Sequence, residues 1–181
     1  ANYANSNPAE NGLVAIRFSI SGSTRTAGTT LKLLSGVGAV SLSSNASGLS
    51  NLTVDSTNSV NISGVISGTG GLSKYGSANL TLTGNNTYSG ATLISAGTVY
   101  VGTGGTSGNL GTGLITNNTS LILNRSDVFA IGGAITGPGS LTKLGAGTAA
   151  LTGANSYTGN TTLTAGTLGV HHNTALGTSN V

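Results

Sequence analysis

The 181-residue sequence contains no cysteine, methionine or tryptophan and very little charge. Without cysteine, a disulfide framework and a thiolate metal site are both excluded. Three acidic and six basic residues give a formal net charge of +3, so charge repulsion does not hold the chain open. No run of 18 apolar residues is present, which excludes a membrane-spanning helix in this chain.

The chain has only two prolines, and no apolar pattern with helical spacing extends over three turns. Glycine, threonine, serine and asparagine account for 102 of the 181 residues. Short runs of alternating apolar residues lie between them, and this period of two predicts strands with one buried face. The runs include Leu31-x-Leu33, Val40-x-Leu42, Leu52-x-Val54, Val60-x-Ile62, Leu80-x-Leu82, Val99-x-Val101 and Leu121-x-Leu123.

An internal repeat defines the expected architecture. Residues 52–101 align without gaps with residues 121–170 at an offset of 69, and 20 of the 50 positions are identical. Short strands and tight corners in such a unit predict three turns of about 23 residues, typical of a β-solenoid. We therefore expect an all-β fold, a parallel β-solenoid of about eight coils. A β-sandwich and a propeller are less consistent with a gapless repeat of this length.

Apolar residues at the repeat-matched positions are expected to fill the interior. The pairs are Leu82 and Leu151, Ile66 and Ile135, and Leu72 and Leu141. Their low-charge neighbours suit stacking, because threonine, serine and asparagine on adjacent coils can form hydrogen bonds, whereas stacked like charges repel.

Two stretches, residues 66–99 and 135–168, share three motifs in the same order. These are G-x-G-x-L-x-K-x-G, then L-T-G-x-N-x-Y-x-G, and an A-G motif near the C-terminal end, followed by threonine. They resemble the autotransporter-associated β-strand repeat, also called the passenger-associated transport repeat. Residues 105–137 resemble the linker between such repeats, and residues 173–178 resemble the start of another. The resemblance covers about residues 52–178. It implies a right-handed parallel β-helix on the bacterial surface or outside the cell, usually within a long adhesin or stalk.

The domain boundary follows from where the resemblance begins. Residues 1–51 lack the K-x-G and N-x-Y-x-G elements and are interpreted as a divergent coil or an adapter. Residues 52–181 are interpreted as the solenoid repeats.

Candidate catalytic and metal-binding residues are few. The acids are Glu10, Asp55 and Asp127, which do not recur at the repeat offset, so a catalytic carboxylate pair is not expected. His171 and His172 are adjacent, and on a strand they would point to opposite faces rather than bind one metal. We predict no catalytic, cofactor or metal site, no cofactor and no enzymatic activity. Six scattered basic residues do not predict nucleic-acid binding.

The recurring Lys74 and Lys143 have two interpretations. They could contact anionic sugars, or each stem could cover an apolar edge while its ammonium group meets a corner carbonyl or solvent. The second is favoured. Asn86 and Asn155 are expected at corners, where asparagine can bond its own backbone. Tyr88 and Tyr157 are expected to pack against neighbouring turns.

The leading functional hypothesis is a structural module of a bacterial surface fibre or adhesin stalk. It would continue end to end, through further copies of itself or adjoining repeats of a longer chain. The alternative is an adhesin module that binds glycans or a host surface with a flat solenoid face. An ice-binding surface is not favoured, because Thr81 and Thr83 align with Ala150 and Thr152 and form no regular array. A polysaccharide-cleaving enzyme would need a groove of clustered charges.

Overall fold

The computed structural model describes residues 30–34, 40–42 and 51–178, whose regular secondary structure consists entirely of strands. The described part of the chain has no helix that is long and apolar enough to cross a membrane. In chain order, the strands are β1 (Thr30–Leu34), β2 (Val40–Leu42), β3 (Asn51–Asp55), β4 (Val60–Ile62), β5 (Gly71–Tyr75), β6 (Asn79–Leu82), β7 (Thr92–Ile94), β8 (Thr98–Val101), β9 (Ile115–Asn117), β10 (Ser120–Leu123), β11 (Val128–Ile131), β12 (Ile135–Thr136), β13 (Ser140–Lys143), β14 (Thr148–Leu151), β15 (Thr161–Leu163) and β16 (Thr167–Val170).

The strands form three sheets, which are the three sides of a solenoid. Side 1 contains β1, β3, β5, β7, β9 and β12; side 2 contains β2, β4, β6, β8, β10, β13 and β15; and side 3 contains β11, β14 and β16. In earlier coils, segments 63–70, 83–91 and 102–114 connect side 2 to the next strand of side 1 and thus occupy side 3. The described strand pairs are parallel, so the predicted parallel β-solenoid is confirmed.

The coils are shorter than the sequence suggested. Leu52 pairs with Leu72, and Leu121 pairs with Leu141, a separation of 20 along the sequence in both cases. The coil between Thr92 and Ile115 is longer, with a separation of 23. The prediction of 23-residue coils was therefore wrong as a general rule. The described residues make about six turns rather than the eight predicted for the whole chain, which gives a length of about 30 Å at the usual strand spacing.

One internal repeat equals three turns plus one further side. Lys74 lies on β5 of side 1, and three turns later side 1 is occupied by β12. Lys143, the repeat match of Lys74, lies on the following strand, β13 of side 2. Equivalent residues of the two repeats therefore lie on different sides, rotated by one third of a turn. The prediction that one repeat completes a whole number of turns was wrong.

The core fills the interior between the three sides. Strands bury alternate residues, because successive side chains of a strand point to opposite faces of a sheet. The repeat-matched apolar residues predicted for the interior are at most 2% exposed: Leu82, Leu151, Ile66, Ile135, Leu72 and Leu141. That prediction is confirmed, and burial of each such side chain contributes about 1.5–3 kcal/mol.

Only part of the region 1–51 is described. Strands β1 and β2 pair in parallel with β3 and β4, so both belong to the same stack of coils. The remainder of the proposed N-terminal coil or adapter, including Glu10, lies outside the described residues.

Candidate functional site

The apolar interior contains polar side chains that recur in both repeats. The buried set consists of Lys74, Asn86, Tyr88 and Thr92 in the first repeat and Lys143, Asn155, Tyr157 and Thr161 in the second. Buried polar atoms are costly without hydrogen-bond partners. In the described part of the chain, every buried side-chain nitrogen and oxygen has such a partner. These eight residues are therefore the candidate site, and their partners show what they do.

Asn86 joins three successive coils. Its side-chain oxygen accepts a hydrogen bond from the Ile66 backbone nitrogen of the preceding coil at 2.8 Å. Its side-chain nitrogen donates to the Asn109 carbonyl oxygen of the following coil at 2.6 Å. The expectation that this asparagine bonds its own backbone at a corner was wrong, because its amide spans the gap between neighbouring coils on both sides.

Asn155 makes the same pair of bonds in the second repeat. Its side-chain oxygen accepts from the Ile135 nitrogen at 2.7 Å, and its side-chain nitrogen donates to the Ala175 carbonyl oxygen at 2.5 Å. Both asparagines lie in segments without regular strand structure, residues 83–91 and 152–160. The side-chain amides thus provide contacts between coils where the backbone ladder is incomplete.

Tyr88 is enclosed between two glycines of adjacent coils. The backbone bonds from Ser89 to Gly68 and from Thr112 to Tyr88 place Tyr88 between Gly68 and Gly111 in the stack. A Cβ atom at Gly111 would overlap the tyrosine ring and its carbonyl group. As predicted, the ring packs against a neighbouring coil, and glycine is required there because the two coils approach closely.

The Tyr88 hydroxyl has a buried partner within its own coil, Thr92 Oγ1 at 2.7 Å. Tyr157 and Thr161 form the equivalent pair at 2.6 Å. Burial raises the pKa of the Tyr88 phenol above its ordinary value, although its hydrogen bond to Thr92 opposes the shift. We call each group of asparagine, tyrosine and threonine an Asn–Tyr cluster: Asn86, Tyr88 and Thr92 in the first repeat, and Asn155, Tyr157 and Thr161 in the second.

Lys74 joins the corners of two coils. Its Nζ donates to the carbonyl oxygens of Tyr75 at 2.6 Å and Gly76 at 2.7 Å, and to that of Ala96 in the next coil at 3.2 Å. The side chain is fully buried. Burial lowers the pKa of Lys74 from its ordinary value, and the Asp55 carboxylate partly opposes this change.

Lys143 repeats the arrangement with the Gly145 carbonyl oxygen and, at 3.4 Å, with that of Ala165. Burial lowers its pKa as well. The favoured interpretation, an ammonium group at corner carbonyls, is confirmed for both lysines. The alternative of sugar contacts is wrong, because neither side chain is exposed. The K-x-G and A-G elements of the sequence motif are therefore two halves of one contact between coils.

The family comparison matches these same segments. Residues 72–101 and 141–170 match the passenger-associated-transport-repeat family. Two segments of the chain, together about one third of its length, are thus similar to this repeat. Each matched segment includes one buried lysine and one complete Asn–Tyr cluster, so the similarity extends over the lysine and the asparagine that bond neighbouring coils.

One relative is named as an autotransporter adhesin. The adhesin BmaC autotransporter of Brucella suis biovar 1 (strain 1330) is 43% identical to this chain over 68 residues. The match covers 38% of this chain and 2% of the adhesin, so the chain spans a small part of that relative. No solved structure is significantly similar to the chain.

Between the two matched segments, Arg125 anchors the coil with the 23-residue separation. Its Nη1 and Nη2 donate to the carbonyl oxygens of Gly108 and Thr106, at 2.6 Å and 2.7 Å. Its guanidinium group lies 4.7 Å from the Phe129 ring centroid and forms a two-bond ion pair with Asp127. The exposed segment 103–107 is thereby attached to the solenoid. The Arg125 bond lowers the pKa of the Asp127 carboxyl.

Arg125 was not among the predicted functional residues, although the sequence carries a signal for it. At the repeat offset, Arg125 and Asp127 align with Ser56 and Asn58, and the Ser56 hydroxyl bonds the Asn58 backbone in the first repeat. A local polar contact at this corner therefore recurs with different side chains. Identity-based matching of the repeats cannot detect it.

The other candidate residues are not brought together. Asp55 and Asp127 lie more than three coils apart, about 16 Å along the axis, so they do not form a carboxylate pair. His171 and His172 follow β16 instead of lying on a strand, and both are exposed. His172 Nδ1 contacts the backbone nitrogen of Thr174 at 3.2 Å. Within the described residues, no group of three potential metal ligands is present.

Proposed function

We propose that this chain is a non-enzymatic structural segment of a bacterial surface adhesin, outside the cell, and that its coils continue end to end. The repeat family and the named adhesin relative support a surface location. The interior supports a structural role, because its recurrent polar residues bond neighbouring coils instead of facing solvent. Among the described ionisable groups, Lys74, Lys143 and Arg125 bond backbone carbonyl oxygens, and Asp127 pairs with Arg125.

One observation carries the end-to-end continuation. Leu163 and Val170 of the last repeat are 50% and 52% exposed, whereas their repeat matches Ile94 and Val101 are fully buried. The difference arises because β9 and β10 cover Ile94 and Val101, while no described strand covers β15 and β16. Uncovered strand edges and apolar side chains favour pairing with a further coil.

A second candidate function is contact with glycans or a host surface through one side. Tyr75 is 38% exposed on side 1 and lies in register next to Asp55. An exposed aromatic ring beside a carboxylate can stack on a sugar and accept hydrogen bonds from its hydroxyl groups. A glycan array compares the binding of the wild-type chain with that of Tyr75→Ala. Binding that is lost in the variant supports the glycan-binding function, because the structural role does not require Tyr75.

Seamless duplication of one repeat tests the structural role. A second copy of residues 102–170 is inserted after Val170, so that the new junction reproduces the native one between Val101 and Gly102. The insertion should lengthen the rod by three and one-third coils, about 16 Å at the usual strand spacing. Small-angle scattering measures this length.

The matched control inserts the same segment with its residues in scrambled order. It should add a disordered or aggregating segment without a defined increase in rod length. If the duplicated repeat gives a compact separate body or no increase in length, the proposed continuous rod is refuted. Light scattering at micromolar concentration then distinguishes continuation within one polypeptide, seen as a stable monomer, from continuation between copies.

A further inference from the structure

We infer that the end formed by β15 and β16 binds a two-strand segment with an Ile-x-Asn strand followed by a Leu-x-Leu strand, as in residues 115–123. This inference rests on the proposed continuation of the coils and specifies which kind of segment provides it. The first repeat supplies the template, since it shows the same end surface with its partner already in place.

The template is the contact of β9 and β10 with β7 and β8. On side 1, Ile115 pairs with Thr92 and Asn117 pairs with Ile94. On side 2, Leu121 pairs with Val99 and Leu123 pairs with Val101. In both contacts, alternate residues of β9 and β10 thus lie over the inward-facing residues of β7 and β8. All eight of these residues are buried.

The last repeat presents a closely similar surface. Thr161 and Val170 are identical to their matches Thr92 and Val101, while Leu163 and Leu168 replace Ile94 and Val99 with side chains of similar size. The backbone pairing is similar too, because β15 and β16 lie on adjacent sides, as β7 and β8 do. A segment that fits the first surface should therefore fit the second.

The chain after β16 already follows the path taken before β9. Thr112 donates its backbone nitrogen to the Tyr88 carbonyl oxygen, and Thr178 donates to that of Tyr157. A Leu-Gly-Thr sequence ends at each of these threonines. In the first repeat, the next strand after this sequence is β9. A chain that continues in the same way after Thr178 runs toward β15. Its next two strands would then pair with β15 and β16 and extend sides 2 and 3.

A disulfide-trapping experiment tests the fit. The chain carries Thr162→Cys, and a synthetic peptide of residues 113–125 carries Thr116→Cys. Thr116 pairs with Leu93, the repeat match of Thr162, so the two cysteines should lie on neighbouring parallel strands at a spacing that permits a disulfide. Neither molecule has another cysteine. Mass spectrometry follows the mixed disulfide.

The control peptide also carries Leu121→Asn and Leu123→Asn, which removes the apolar contacts of its second strand. The native-sequence peptide should react faster by about tenfold or more, because burial of the two leucines stabilises its complex. Equal rates, or no mixed disulfide, would overturn the inference. Preferential disulfide formation between two Thr162→Cys chains would also overturn it, because the end would then prefer another end. The duplicated chain forms the same contact within one polypeptide, where no affinity for a free segment is required. A lengthened rod without trapping of the peptide therefore refutes only this inference and leaves the continuous rod standing.

Discussion

The side-chain oxygen of Asn86 lies 2.8 Å from the backbone nitrogen of Ile66, and the two residues belong to successive coils. The bond replaces part of a strand ladder, because residues 83–91 form no regular strand. Together with the bond to Asn109, it lets one amide hold three coils in register. The same geometry at Asn155 indicates that the asparagine recurs in the second repeat for its contacts between coils.

Substitution Asn86→Ala should lower the free energy of unfolding. It leaves the buried Ile66 nitrogen and the half-buried Asn109 carbonyl oxygen without their partner, and an unpaired buried group costs about 1–3 kcal/mol. Urea denaturation measures the loss, and hydrogen exchange should show faster exchange of the Ile66 amide. Asn85→Ala is the control, because Asn85 is exposed and accepts only one longer bond, 3.3 Å from the Gly108 nitrogen. Equal losses for the two variants would contradict the bridging role.

Substitution Gly111→Ala should destabilise the fold by about 1–3 kcal/mol, the usual cost of overpacking. The new methyl group would overlap the Tyr88 ring and carbonyl, which the backbone of the adjacent coil cannot easily avoid. Gly105→Ala is the matched control, since a Cβ at Gly105 meets nothing within 4 Å. Thermal melting should leave the Gly105 variant near the wild type. A Gly111 variant with an unchanged melting temperature would show that the coils are less closely packed.

Stability should rise with pH in the range just below the ordinary lysine pKa of 10.5. Burial lowers the pKa of Lys74 and Lys143 in the folded chain, so between their lowered values and the ordinary 10.5 the unfolded chain binds more protons. The free energy of unfolding increases with pH wherever the unfolded state binds more protons. Urea midpoints across this range should show the rise, and Lys74→Met should reduce it. An identical pH profile for the variant would contradict burial of the ammonium group.

The repeat-matched pair Ile94 and Leu163 should respond differently to truncation. Ile94→Ala should cost about 2–5 kcal/mol, because it opens a cavity beneath β9. Leu163→Ala should cost much less, since half of that side chain is already exposed. Denaturation of both variants under identical conditions makes the comparison. Similar large losses at the two positions would mean that Leu163 is covered in solution.

Local pattern was sufficient to predict much of the fold. Alternating apolar residues such as Leu80 and Leu82 identified strands and their buried face, because side chains of a strand alternate with a period of two. Comparison of the repeats correctly selected Leu72 and Leu141 for the core. The same comparison singled out both lysines, both asparagines and both tyrosines. It did not single out Thr92 and Thr161, and it could not identify the partners in the neighbouring coils.

The sequence by itself determined an all-β chain, the offset of its internal repeat, the inward-facing apolar residues and the similarity of two segments to a known repeat. These properties depend on residue type and spacing along the chain. Only the tertiary structure decided how much of the chain completes a turn, which side each repeat occupies and where the buried Lys74 ammonium group finds its carbonyl oxygens. The physical reason is that register between coils depends on corners and on contacts with the next coil. An alignment records that Lys74 and Lys143 correspond, but only the path of the backbone places them on different sides of the solenoid.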